Sequence, residues 1–193
     1  MARIERASLW SLEAYARERN AFRARVIEHK RHRRVALGEH VTLQFEDELT
    51  IRYQIQEMLR IERTFEEAGI QDELDAYNPL VPDGTNLKAT MMIEYPDVAE
   101  RQRNLARLKG IEDRVWVQVA GCARVHGIAD EDLERTNDEK TSAVHFLRFE
   151  LNPEMQKTLR YGVGLSVGVD HPHYQAIVEA SPAVRAALAA DLA

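Results

Sequence analysis

At 193 residues, 45% hydrophobic and 30% charged with a net charge of −6, the chain has the composition of a globular fold large enough to bury a core, far from the profile of a disordered sequence. Its single cysteine, Cys122, excludes an intramolecular disulfide and a thiolate metal cluster within one chain, which makes a reducing compartment its natural home. The first ten residues, MARIERASLW, lack the apolar centre of a signal peptide, and no apolar run approaches the roughly 20 residues that span a bilayer, so the expected setting is the cytoplasm, away from membranes.

In chain order, Ser8 and Ser11 are candidate N-caps for a helical segment with apolar positions Leu12, Tyr15, Ala16, Phe22, Val26 and Ile27, ending before Gly38. Residues 41–45 alternate as a short strand. A long helix is then expected from about Glu46 to Ala68, with Gly69 as its terminator. Asn78-Pro79 and Pro82-Asp83-Gly84 carry turn chemistry. Residues 88–95 read as a strand, Pro96-Asp97 opens a helix that Gly110 ends, and strands at 114–120 and 123–128 form a hairpin around Gly121-Cys122. After an acidic polar segment at 130–140, residues 141–151 are β-prone, Asn152-Pro153 opens a helix, 163–169 is a strand, and Ser181-Pro182 opens a final alanine-rich helix. This order favours an α+β fold with a helical amino-terminal third and a largely antiparallel sheet with helices packed on one side, as one domain over residues 1–193.

The charge is uneven. Residues 1–34 carry ten Lys or Arg against four Glu, a local charge of +6, so the remainder carries −12. The basic end peaks at His29-Lys30-Arg31-His32-Arg33-Arg34. Such a row can release counterions from nucleic acid, but no aromatic residue interleaves with it, and basic residues are favoured at helix C-termini. The run is expected to pair with the acidic body of its own fold, with nucleic-acid binding through residues 30–34 as the weaker reading.

The helical segment at 51–65 is the most informative. Projected at 100° per residue from Ile51, Ile55, Met58 and Phe65 fall within about 40°, Glu62 lies at about 20° in the centre of that apolar face, and Glu66 at about 60°. A carboxylate there needs a partner. Two readings stand: a structural ion pair with an inward arginine such as Arg148, or two glutamates at i and i+4 that chelate a metal. His145 shares one strand face with Ala143, Leu147, Phe149 and Leu151, which makes it a candidate core histidine; beside Glu62 it would instead complete a Glu62, Glu66 and His145 metal site for iron, manganese or zinc. Asp170-His171-Pro172-His173-Tyr174 reads as a surface turn after a strand, without zinc-ligand spacing to a second cluster. Gly162, Gly164, Ser166 and Gly168 share one smooth strand face that admits a closely packed neighbour. There is no phosphate loop, G-x-G-x-x-G, H-E-x-x-H or G-x-S-x-G, and Cys122 has no local activating group.

The segments FEDELTIRYQIQEMLRIE at 45–62, ELDAYNPL at 73–80, MIEYPD at 92–97, KTSAVHFLRFEL at 140–151 and VDHP at 169–172 resemble an uncharacterised bacterial family, the domain of unknown function numbered three-five-zero-one, and the likeness covers nearly the whole chain. The family carries over no activity and no catalytic residue. Its genes are often found beside those of a rubrerythrin-like protein and an iron-sulphur oxidoreductase, which implies a shared pathway in peroxide defence or electron transfer rather than a shared chemistry. The resulting expectation is an accessory or interaction protein of that redox module, docking through its acidic body or basic end. The alternative is a metal-dependent enzyme or sensor with a carboxylate/histidine site.

Overall fold

The structure, a computed structural model, describes residues 3–129 and 140–193; the acidic segment read at 130–140 lies outside the described residues, apart from Lys140. Helix α1 (Leu12–Lys30) is capped by Ser11, whose hydroxyl accepts from the Ala14 N–H at 3.2 Å, and it buries Tyr15, Phe22 and Val26. It stops well short of Gly38. One 3-10 turn at Arg31–Arg33 leads into strand β1 (Arg34–Leu37), which pairs antiparallel with β2 (Val41–Phe45). The alternation exposed, buried, exposed, buried of RVAL is that of a strand, but its arginine continues the basic run and hides it.

Helix α2 (Glu48–Glu62) opens with a capping box, in which the Asp47 side chain accepts from the Thr50 N–H and the Thr50 hydroxyl accepts from the Asp47 N–H, both at 2.9 Å. It ends at Arg63, in the left-handed region at φ 56° and ψ 38°, with the Thr64 N–H donating back to the Leu59 carbonyl. Helix α3 (Glu67–Tyr77) follows. The single helix expected from 46 to 68 is therefore two helices. Gly69 lies inside α3, and the chain reverses at a non-glycine residue.

Strand β3 (Asn86–Ile93), helix α4 (Val98–Arg107), β4 (Val115–Val119), β5 (Val125–His126), β6 (Ile128–Ala129), β7 (Val144–Glu150), helix α5 (Pro153–Arg160), β8 (Leu165–His171), β9 (Tyr174–Glu179) and helix α6 (Pro182–Ala189) complete the described order. Asp97, Asn152 and Ser181 cap α4, α5 and α6 with their side chains, the last two directly before a proline. The fold is α+β, and its strands divide between two antiparallel sheets, ordered β1-β2-β3-β7-β6 and β5-β4-β8-β9. The β4-β5 hairpin is formed, with Trp116 opposite His126, but the strand expected over 123–128 divides into β5 and β6, which join different sheets because β6 pairs with β7. Strand β9 was not foreseen: the turn at 171–174 joins β8 to a strand in which Tyr174, Ala176 and Val178 are half-buried and alternate with exposed Gln175, Ile177 and Glu179.

The main core lies between the sheets, where Leu43, Phe45, Met91 and Phe149 of one join Val115, Val117, Leu165 and Val167 of the other, with Leu105, Leu159 and Leu188 from α4, α5 and α6. Two smaller clusters bind α1, α2 and α3 together, one around Ile51, Ile55, Leu59, Ile70 and Leu74, the other around Tyr15, Phe22 and Val26. The smooth face at Gly168 receives a side chain of its own sheet. Trp116 lies directly opposite, and a Cβ at 168 would approach its ring to 2.3 Å.

Two polar networks fasten the helices to this frame. Arg33, 3% exposed, clamps Asp191 with two hydrogen bonds of 2.8 and 2.6 Å, sets its Nε 2.9 Å from Asp47 and donates to the Ala187 carbonyl. Burial raises the Asp47 carboxyl, yet Arg33, the Thr50 N–H and His29 together outweigh it and hold its pKa below the usual carboxylate value. Between α1 and α2, Glu57 accepts two hydrogen bonds from Arg19, at 2.7 and 2.8 Å, and one from the Tyr15 hydroxyl at 2.6 Å. The Arg19 bonds chiefly, then those of Tyr15 and Arg60, draw the Glu57 pKa from 4.5 down to about 2 against an opposing effect of burial.

Arg63→Gly is expected to stabilise the protein, because it removes a left-handed strain of about 1 kcal/mol and so raises the melting midpoint by roughly 2–4 °C; a calorimetric midpoint that stays put or falls would contradict that strain. At Glu57 the folded pKa is depressed, so its contribution is present above pH 4.5 and is lost as pH falls toward about 2, where the unfolded chain takes up the proton first. Urea midpoints measured from about pH 5 to pH 3 are expected to fall less steeply in Glu57→Gln than in wild type.

Candidate functional site

The outer face of the first sheet is built from the residues that alternate away from the core. Across β3 and β7 it pairs Lys88 with Arg148, Thr90 with Phe146 and Met92 with Val144, and Gln44 of β2 lies beside Thr90. Helices α2 and α3 roof part of this face. Between roof and sheet is a cavity of about 570 Å³, bordered by Met58, Glu62, Glu73 and Tyr77 on the helices and by Glu46, Lys88, Thr90, Phe146 and Arg148 on the sheet side. A second lobe of about 300 Å³ shares Glu46, Tyr77, Leu80, Thr90 and Phe146 with the first and reaches Lys30 and Met92. The two form one cleft of a size usual for small-molecule sites.

Its polarity is mixed. Glu46 is 7% exposed and accepts a 2.7 Å hydrogen bond from the Thr90 hydroxyl. Glu73 has a raised pKa, through burial first and then through the charges of Glu62 and Asp72. Lys88 donates to the Pro79 carbonyl and Arg148 to Glu150. A ligand here would meet an apolar wall of Met58, Tyr77, Leu80 and Phe146 and carboxylates at fixed points.

The residues singled out in the sequence are placed differently from one another. Glu62 is exposed, not buried: it is the last residue of α2, on the overhanging final turn, where the helix buries Ile51, Ile55 and Leu59 earlier along its length. Glu66 is exposed and is the N-cap residue of α3, so the left-handed reversal at Arg63 breaks the i, i+4 relation assumed for the pair. Arg148 borders the same cavity as Glu62 but pairs with Glu150. His145 is fully buried and faces the main core beside Met91, across the sheet from the cleft. Its Nε2 lies 2.8 Å from the Thr141 hydroxyl and 3.8 Å from Glu112, whose carboxylate also accepts from Thr141. The β-sheet thus separates His145 from Glu62. Among the described residues, no three His, Cys, Asp or Glu side chains are grouped to hold a metal ion.

The basic run is tied largely into the fold. His29 lies 2.5 Å from Asp47, Arg31 pairs with Glu28, Arg33 is buried, and Arg34 reaches Glu94 at 3.6 Å. His171 is a buried structural histidine, accepting at Nδ1 from the His173 N–H and donating through Nε2 to the Lys109 carbonyl. Cys122 is half-buried and unpaired by disulfide. The residue that sequence reasoning overlooked is Glu46. Its signal was available, since Thr42, Gln44 and Glu46 continue the alternation of β2 on the face opposite Val41, Leu43 and Phe45.

No helix among the described residues is long and apolar enough to cross a membrane. No curated protein matches the chain significantly. A solved structure from Burkholderia pseudomallei, described as a novel protein of unknown function, is 58% identical over 100% of both chains, with a TM-score of 0.95. Residues 3–192 match the family described as Protein of unknown function (DUF3501), and the chain belongs to that family.

Proposed function

We propose that the protein is a cytoplasmic accessory protein that works by binding, in the service of a redox module made of a rubrerythrin-like protein and an iron-sulphur oxidoreductase. The observation that carries the binding role is the apolar tip of the α2–α3 hairpin, where Ile61 is 61% and Phe65 72% exposed. Large apolar side chains held in water at one place are the usual mark of a contact surface, and phenylalanine is enriched at such surfaces. Exposed Arg60, Glu62, Arg63, Glu66 and Glu67 surround them in sequence, a mixed charged rim that suits a partner with complementary charges around an apolar pocket. The choice of module rests on the family resemblance, in which the neighbouring genes supply the pathway.

The test mixes the purified protein with the rubrerythrin-like protein and the iron-sulphur oxidoreductase encoded beside it and reads association by gel filtration and calorimetry. A complex with one of them is expected, weakened at least about tenfold, roughly 1.4 kcal/mol, in the Ile61→Asp, Phe65→Asp double variant. The melting midpoint should hardly change, because both side chains stand outside the core. Absence of a complex with either protein, or a complex indifferent to the double substitution, overturns the reading. Near-stoichiometric iron, manganese or zinc in protein purified without chelators, lost in both Glu62→Gln and His145→Ala, would put the metal-dependent enzyme or sensor in its place.

A further inference from the structure

We propose that the larger lobe of the cleft is a binding site for an organic ammonium ion carrying an apolar body, an alkyl- or arylalkylamine. The site lies beside the docking tip at Ile61 and Phe65, with Glu62 bordering both, and its test does not depend on that tip.

Glu46 is the anchor. Its side chain belongs to a residue only 7% exposed that borders both lobes, and the Thr90 hydroxyl makes the only hydrogen bond its carboxylate receives among the described residues, at Oε1. Arg33 feels its charge through space but commits its own donors to Asp47, Asp191, His29 and the Ala187 carbonyl. A carboxylate withdrawn this far from water calls for a counter-charge and more donors. A ligand ammonium at Oε2 supplies both, with three N–H groups and charge-assisted bonds.

The rest of the lobe fits the rest of such a ligand. Met58, Tyr77 and Phe146 offer hydrocarbon and ring surface for an apolar body, and aromatic faces attract cations as well. Glu62 and Glu73 border the same lobe, and burial first, then the charges of Glu62 and Asp72, raises the pKa of Glu73. The fourth carboxylate, Asp75, is engaged by Arg3 and Gln71. Of the described cations, Arg148 pairs with Glu150, Lys88 donates to the neutral Pro79 carbonyl and keeps its charge, and Lys30 borders only the smaller lobe. Among the described residues, more carboxylates than cations therefore border the larger lobe, around an apolar wall.

Calorimetric titration of the full chain with 2-phenylethylammonium chloride tests this, with sodium 3-phenylpropionate as a probe of similar shape and opposite charge. The ammonium probe is expected to saturate the protein and to bind at least about tenfold more tightly than the carboxylate. Glu46→Gln should lower its affinity at least about tenfold. Ala76→Trp, which starts from an exposed position on α3 and fills the lobe, should abolish binding while leaving the circular dichroism spectrum unchanged. Failure of the ammonium probe to bind overturns the proposal, as do equal affinities for the two probes or unchanged affinity in Glu46→Gln. If Glu46→Gln does not fold, Ala76→Trp decides, and undiminished binding in that variant places the amine elsewhere and overturns the site.

Discussion

The architecture depends on one buried cation. Arg33 sits where α1 gives way to β1, and its guanidinium holds Asp191 beyond α6 and Asp47 at the start of α2. Removing one member of such a network strands the others out of water at a cost of about 3–5 kcal/mol, comparable with the whole stability margin of many domains. Its geometric effect matters as much. Asp47 is at once the partner of Arg33 and the N-cap of α2, so the residue that neutralises the arginine also sets where the helix begins and how it leaves the sheet. With α2 launched from that point, α3 folds back beneath the reversal at Arg63, and the pair can roof the outer sheet face.

The cleft follows from that roof and from the two-sided character of the sheet. Toward the core, β2, β3 and β7 present Leu43, Phe45, Met91, Leu147 and Phe149, which are almost completely buried. Away from it they present Gln44, Thr90, Phe146 and Arg148, joined by Glu46 just after β2, a surface neither apolar enough to demand full coverage nor polar enough to need none. The roof closes over part of it, held together by Ile51, Ile55 and Leu59 packed against Ile70 and Leu74 of α3 and Ile4 and Leu9 before α1, while the last turn of α2 projects past that support. Glu62 and the apolar tip are exposed because they stand on that projecting turn and its continuation.

Much of this was legible in the residues, and where it was not the reasons are physical. The caps at Ser11, Asp97, Asn152 and Ser181 were readable because a short polar side chain before a helix has a single dominant use, and a following proline removes most alternatives at two of them. His145 was readable as a core residue because a period of two over seven residues of β7 leaves little ambiguity. Glu62 does share the helical stripe of Ile51 and Ile55, but it is the last residue of α2, on a turn that nothing among the described residues covers; the wheel failed outright only for Phe65 and Glu66, because the left-handed turn fell on Arg63, which has no glycine to announce it. Strand β1 was hidden by its charge, and β9 by a solvent-facing isoleucine that blurs its alternation. The cleft itself was beyond local reading. It brings residues 46, 73, 90 and 146 together, and only the order of strands in the sheet can do that.

The clasp between Arg33 and Asp191 also bears on the order in which the molecule can assemble. Its two members are 158 positions apart, and a contact of such long reach forms only after a large loss of chain entropy, which slows folding. During synthesis Asp47 follows the arginine closely, whereas Asp191, its other carboxylate partner, emerges only 158 residues after it. Until then α1 and the first hairpin hold a cation in a place that water can still enter, and the nascent chain should stay open at that seam, reliant on the ribosome or a chaperone for shelter until α6 swings in to close it.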